Sequence, residues 1–339
     1  MSQKNIMNVW GIHMGEKVGS LPLDKNYVGI GWKLLGNLQP YSGSREGFKK
    51  VLANTYPDIK KGAIPQNAGV LFRFVNEMQQ DDIVIYPSKD RMVNIGRIVS
   101  DYCFVEGDEH GYPNHRNIEW LGSFARSEFS QSALNEIGSA LTLFSVKSHR
   151  NEFLTKVGLA PTILDSQDDD SDNADDDSVT EAISHQAEQT TEDFIIKQLH
   201  AKLDGYEFEA FVAHILECMG YKARVSSKSG DGGVDIIAHK DELGFEPPII
   251  KVQCKKSITS NGEPEVNQLL GALGEGEYGL FVNLGSYSRP ARLLERNKAK
   301  LRLIDGDELV DLVLEHYANL SPKYRALLPL KQIYVADLA

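Results

Sequence analysis

Residues 230–255, GDGGVDIIAHKDELGFEPPIIKVQCK, decide how this chain is read. A Gly-rich loop leads into a short apolar run beginning at Asp235, a polar turn follows, and a second apolar run carries Gln253 and Lys255. Side chains alternate across a strand, so Lys251, Gln253 and Lys255 share one face while Ile250, Val252 and Cys254 share the other. The apolar set suits a buried sheet. An Asp, an amide and a Lys converging from neighbouring strands suit a divalent cation held beside a phosphate, the arrangement that hydrolysis of a phosphodiester requires.

Outward from this stretch, YEFEAFVAHILECMG (206–220) places Phe208, Phe211, Val212, Ile215 and Met219 on one helical stripe, with Gly220 as its stop. Strands are expected at YKARVSS, GVDIIAH, IIKVQCK and YGLFVNLG, with a helix at EPEVNQLLGALGEG before the last of them. RPARLLERNKAK reads as a helix and LRLIDGDELVDLVLEHY as a strand plus helix. Helices between near-continuous apolar strands indicate an α/β domain with a mixed sheet flanked by helices.

Mg²⁺ takes oxygen ligands and keeps several waters, so few protein ligands suffice; Mn²⁺ accepts the same oxygen set. Asp235 supplies the charge, and Gln253 and the backbone carbonyl of Cys254 supply neutral oxygens. Lys255 faces the same way and can hold the scissile phosphate and the attacking water. Glu209, beside the apolar stripe, can reach the metal through water.

The residues FEAFV (208–212), GDGGVD (230–235), VQCK (252–255) and LIDGDELVDL (303–312) resemble the catalytic domain of Mrr-type restriction endonucleases, a branch of the PD-(D/E)xK nuclease superfamily. The resemblance implies a restriction-endonuclease-like fold, a divalent metal and DNA as substrate. It matches Asp235 to the metal-binding aspartate, Gln253 to the glutamine that replaces the usual acid, Lys255 to the catalytic lysine and Glu209 to the acid of the first helix.

The formal net charge of −12 at first argues against a nucleic-acid partner. Its distribution removes the objection. Residues 165–192 hold eleven Asp or Glu and no Lys or Arg, whereas 1–164 carry +2 and 193–339 carry −3. The acidic stretch is expected to be a disordered linker, which splits the chain into domains at 1–164 and 193–320 with a tail at 321–339. Its alternative role is an acidic mimic of DNA. Between Arg289 and Arg302 six basic residues face one acid, and Arg289, Arg292 and Arg296 fall on one helical face suited to a phosphate backbone.

Three separated cysteines form no CxxC pair, and no apolar run is long enough to span a bilayer, so a soluble, cytoplasmic protein without membrane contact is expected. In the first domain NVWGIHM, NYVGIGW, DIVIYPS and MVNIGRIVSDYCFV read as strands, and SREGFKKVLANTY and NAGVLFRFVNEM as helices. This α+β set resembles PUA-like or EVE-like barrels found ahead of Mrr-type catalytic domains. That resemblance implies nucleic-acid sensing, with Trp10, Trp32, Tyr86 and Trp120 as candidate walls of a modified-base pocket. Lys89, Arg91 and Arg97 are candidate phosphate contacts; His110 and His115 read as loop residues without a metal.

The expected activity is a Mg²⁺- or Mn²⁺-dependent endonuclease acting on double-stranded DNA, with modified bases as the trigger, in prokaryotic defence. A homodimer is expected because cutting both strands needs two sites. A repair or recombination nuclease acting on branched or damaged DNA, and a non-catalytic nucleic-acid sensor, are the alternatives.

Overall fold

The computed structural model describes residues 7–15, 18–88, 90–139, 141–160, 176–226, 233–241 and 244–332. Lys89, Gly230, Gly232 and residues 165–175 and 333–339 lie outside them. The chain divides into two units between Gln189 and Thr190.

The first unit is built on seven strands: β1 (Val9–Ile12), β2 (Tyr27–Ile30), β3 (Ile83–Pro87), β4 (Met92–Ile98), β5 (Cys103–Phe104), β6 (Asn114–Ala125) and β7 (Leu143–Ser145). They run in the order β2-β6-β4-β3-β1-β7, with β5 on β6; β1 and β3 are parallel and the other pairs antiparallel. A register shift between Ile95 and Gly96 bends the long β6 against β4. Among the described residues β2 and β7 end the path, so the barrel expected from the sequence is a curled half-barrel. Its ends are strands of only four and three residues, a short edge that discourages pairing with another chain.

Alternation along the strands serves two cores. Val84 and Tyr86 of β3 face one cluster, which takes Phe48 and Leu52 from α2 (Arg45–Thr55) and Val70 and Leu71 from α3 (Ala63–Phe72); α1 is the short helix Leu21–Lys25. Ile83 and Ile85 face the other, with Leu134 and Ile137 from α4 (Gln131–Ile137) and Phe153 and Leu154 from α5 (Arg150–Lys156). The α2 start is set by Ser44, whose Oγ accepts the Gly47 N–H at 3.1 Å. The apolar pattern of NAGVLFRFVNEM ends as a π-turn over Arg73–Glu77.

The second unit contains α7 (Gly205–Cys218), β8 (Lys222–Val225), β9 (Ile236–His239), β10 (Ile249–Lys255), α8 (Glu263–Gly271), β11 (Glu277–Asn283), α9 (Arg289–Asn297), β12 (Leu301–Ile304), α10 (Gly306–Glu315) and α11 (Pro322–Leu327). Its sheet runs β12-β11-β10-β9-β8, parallel from β10 to β12 and antiparallel from β8 to β10. Helices cover both faces. Ile236, Val252, Leu280 and Val282 pack with Phe208, Phe211, Leu309 and Val313 on one side, while Phe281 and Leu303 pack with Val266, Leu269 and Ala291 on the other. A capping box closes the start of α7: Asp204 accepts the Glu207 N–H at 2.7 Å and Glu207 accepts the Asp204 N–H at 2.9 Å.

Three expectations are revised here. Helix α6 spans Asp176–Lys202, so the part of the acidic tether that is described is helical, not disordered. Ile195, Ile196, Leu199 and Leu203, from its last turns onward, are buried in the second core and anchor it. The stretch from Ser321 is not all tail: Tyr324 on α11 and Leu328 after it are buried in the same core. Met219, placed on the buried stripe by spacing alone, lies one residue past the end of α7 and is 36% exposed.

Candidate metal and nucleic-acid site

The site forms where β9 begins beside the end of β10. The antiparallel ladder of β9 and β10 ends with Val252 paired to Ile236, next to Gln253 on one strand and Asp235 on the other. Two backbone bonds fix Asp235: its N–H donates to the Val252 carbonyl at 2.8 Å, and its own carbonyl accepts the Ser226 N–H at 2.7 Å. Its carboxylate is aimed by a third, because Oδ2 accepts the Cys254 N–H at 2.7 Å. Burial pushes this carboxyl above its usual range, with the Cys254 hydrogen bond acting in the opposite sense.

Gln253 carries the informative atom. Its Oε1 is buried and has no hydrogen-bond partner among the described residues, an unfavourable state for an acceptor that a neighbouring cation would relieve. Its Nε2 lies beside Gly233. A Cβ on Gly233 would sit 3.2 Å from that nitrogen and 3.1 Å from Nε2 of Gln268 on α8, and φ of +89° already demands glycine there. Lys255, two residues on, presents Nζ 3.5 Å from Oε1 of Glu265 on α8. The third residue of this face serves structure: Lys251 donates to the Ala272 carbonyl at 2.8 Å and pairs with Glu277 at 2.7 Å.

Cys254 faces the opposite way. Burial pushes its thiol well up, and the nearby carboxylates of Asp235 and Glu209 add to the effect, so the sulfur stays protonated and inert. Gln253 and Lys255 thus share one face of β10 by alternation, and Asp235 is tied to the Cys254 backbone between them. Glu265 and Gln268 were not singled out from sequence; their spacing of three on EPEVNQLL was the available signal.

The donor set fits a hard cation. One carboxylate, one amide oxygen without a partner and one backbone carbonyl leave room for a metal that keeps its own water. Among the described residues no group of three or more His, Cys, Asp or Glu could hold a metal, so any ion here depends on neutral oxygens as well.

The basic face of α9 is only partly as expected. Arg292 is committed within the fold: Nη1 donates to Glu295 at 3.1 Å and to the Leu303 carbonyl at 3.0 Å, Nη2 pairs with Asp305, and the guanidinium lies over the Tyr287 ring at 5.1 Å. Arg302 joins Glu295 and Glu308 at 3.0 and 3.1 Å. Arg292 is therefore a bolt between α9, β12 and α10 and not a phosphate contact. Asp305, which meets Arg292, and Glu308, which meets Arg302, lie outside the 289–302 window in which Glu295 is the one acid. Arg289 and Arg296 stay exposed.

In the first unit the four aromatic candidates do not form one cage. Trp10 is 5% exposed and its Nε1 donates to Asp82 at 2.8 Å, which makes it core. Tyr86 is 4% exposed, with burial pushing its phenol to about 12. Trp120 is tilted against Tyr86 at 6.3 Å and donates to the Pro22 carbonyl; Trp32 meets Tyr56 edge-on at 5.1 Å. Only Trp32 and Trp120 keep partial exposure. An open cleft of about 670 Å³ in this unit is lined instead by Gln39, Gln79, Asp101, Tyr102 and Arg116 among others. Arg97 pairs with Glu119 at 3.4 Å. His115 is not a loop residue: it lies on β6, buried, stacked on Tyr27 at 3.9 Å. Among the described residues no helix is long and apolar enough to cross a membrane.

Residues 200–313 match the family model described as Restriction endonuclease, and residues 10–147 match one described as Domain of unknown function (DUF8426). The Type IV methyl-directed restriction enzyme EcoKMrr of Escherichia coli (strain K12) is 31% identical over 124 residues, covering 34% of this chain and 40% of that enzyme. The chain thus spans about two fifths of the length of this curated relative. A solved structure of MspJI restriction endonuclease in complex with a 27-mer oligonucleotide is 17% identical, with 77% of this chain and 68% of that one covered at a TM-score of 0.33. The DNA modification-dependent restriction endonuclease AspBHI is 14% identical, with 73% and 68% covered at 0.34. The Mrr-type resemblance read from the motifs holds over the second unit.

Proposed function

We propose that this chain, whose second unit carries an Mrr-type restriction endonuclease domain, is a divalent-metal-dependent DNA endonuclease of the modification-dependent restriction type. The observation that carries the site is the buried Oε1 of Gln253, without a partner among the described residues, next in sequence to Cys254, whose N–H holds Asp235, with Lys255 next on the same face of β10. Asp235 and Gln253, with the Cys254 carbonyl, would hold Mg²⁺ or Mn²⁺, and Glu209 would reach it through water. The cation, when bound, neutralises charge on the phosphoryl oxygens and makes water a better nucleophile.

The rest falls to the chain itself. The Cys254 N–H holds Asp235 Oδ2 and fixes the carboxylate, leaving Oδ1 to the ligand. Lys255 holds the scissile phosphate by charge and orients the attacking water, whose oxygen bonds phosphorus as the bond to the leaving sugar oxygen breaks. Arg289 and Arg296 contact the DNA backbone. The first unit, read as PUA-like or EVE-like, senses the DNA with Trp32 and Trp120 as its remaining aromatic contacts, and two chains act together as a homodimer to cut both strands.

The deciding experiment digests phage DNAs that differ only in base modification, with and without Mg²⁺, beside Lys255→Ala as control. Cleavage confined to modified DNA and dependent on metal is the expected result. Equal cutting of unmodified DNA would overturn the restriction type, a preference for branched substrates would favour repair, and no cutting of any DNA would leave a non-catalytic sensor.

A further inference from the structure

The motif residues of β10 do not stand alone: α8 lies over their face and meets them in register. Glu265 and Gln268, three apart on the helix, stand over Lys255 and Gln253, two apart on the strand. Glu265 Oε1 lies 3.5 Å from Lys255 Nζ. The amide ends of Gln268 and Gln253 both approach Gly233. A pair of half-exposed charges at this distance adds little to stability, so its worth lies elsewhere.

We propose that Glu265 is a positioning residue, which holds the Lys255 ammonium over the cleavage site until the phosphate of the substrate takes its place. The inference rests on the nuclease reading of Lys255 given above. Metal ligation is the competing role for an extra acid at this site. It is disfavoured because Glu265 does not join Asp235 and Glu209 in any acidic group able to hold a metal among the described residues. A lysine carries four rotatable bonds, and without a fixed counter-charge its ammonium samples positions from which it cannot engage the phosphate. Misplacement of a catalytic group by about 1 Å costs on the order of 10²-fold in rate.

The test measures single-turnover cleavage and DNA affinity for the full chain with Mg²⁺, in wild type, Glu265→Ala, Glu265→Gln and Glu265→Asp. The expected result is a fall in the maximal rate of about 10- to 100-fold in Glu265→Ala, with unchanged KM and Tm, and partial recovery in Glu265→Asp, which retains the charge. Glu265→Gln, nearly isosteric, should show the charge-dependent part of the loss and serves if the alanine variant folds poorly. A wild-type rate in both neutral variants overturns the proposal. So does a raised KM at unchanged maximal rate, which would make Glu265 a determinant of DNA binding. Lys255→Ala separates the two levels: if it cleaves normally, the catalytic reading of Lys255 fails, whereas its inactivity beside fully active Glu265 variants sinks only the positioning role.

Discussion

Strand β10 and helix α9 were both read as polar faces set by spacing, and they turned out differently. On β10 Lys251, Gln253 and Lys255 share one face by alternation, and Asp235 is tied to the Cys254 backbone between the last two. On α9 the central residue, Arg292, is drawn inward by Glu295, Asp305 and the Leu303 carbonyl. Period determines which residues share a face. It does not reveal which of them the rest of the fold has already engaged.

The largest expected effect tests the β10 side. Lys255→Ala and Asp235→Ala should each lower the cleavage rate by about 10³-fold or more, as loss of a single preorganised charge stabiliser does in other hydrolases. DNA affinity and Tm should stay near wild type in gel-shift and thermal-melt measurements; retention of full activity in both would remove the site.

On the α9 side the contrast is between two arginines. Arg292→Ala leaves Asp305 without its cation and Glu295 with Arg302 alone, and should cost about 2 kcal/mol of stability, read in a denaturant titration. Arg296→Gln should leave stability alone and reduce the slope of log affinity against log salt by about 1. If Arg292→Ala weakened binding while leaving stability intact, the bolt would be a phosphate contact after all.

Gly233→Ala sharpens the comparison from the loop. The added Cβ meets strained backbone at φ +89° and presses on the Gln253 and Gln268 amides. Mg²⁺ affinity, measured by calorimetry, should fall while the second unit stays folded.

The smallest effect concerns pH and the metal-free protein. Burial raises the Asp235 carboxyl above its usual range, so the folded chain binds that proton more tightly than the unfolded chain. The group therefore favours folding at acid pH, and this contribution is lost as pH rises through the unfolded and then the folded value. Asp235→Asn keeps an acceptor for the Cys254 N–H and removes the charge, so Tm in chelator at neutral pH should rise slightly. Mg²⁺ should raise the Tm of the wild type and not of this variant; a fall in its metal-free Tm would contradict the assigned cause.

Much of the second unit was legible because its signals are local. The α7 stripe, the alternation of IIKVQCK and the stop at Gly220, where φ is +89°, each depend on neighbours within one or two turns. The first unit was less so. Trp10 and Trp32 look alike in a β-rich run, yet Asp82, 72 residues on from Trp10, pins one in the core while the other stays partly exposed. The burial of Ile195 and Ile196 on α6 and of Tyr324 on α11 escapes a local reading for the same reason: the core that takes them is made by other segments.

By itself the amino-acid order determined the alternation of faces, the helix caps and the identity of the residues able to bind a cation, because these follow from backbone periodicity and side-chain chemistry within a few positions. Only the folded chain decided which charges remain available. Whether Arg292 meets solvent or Asp305, whether Gln253 Oε1 finds a partner, and whether Lys255 has Glu265 beside it depend on contacts between elements brought together by burial of apolar surface, which no local window contains.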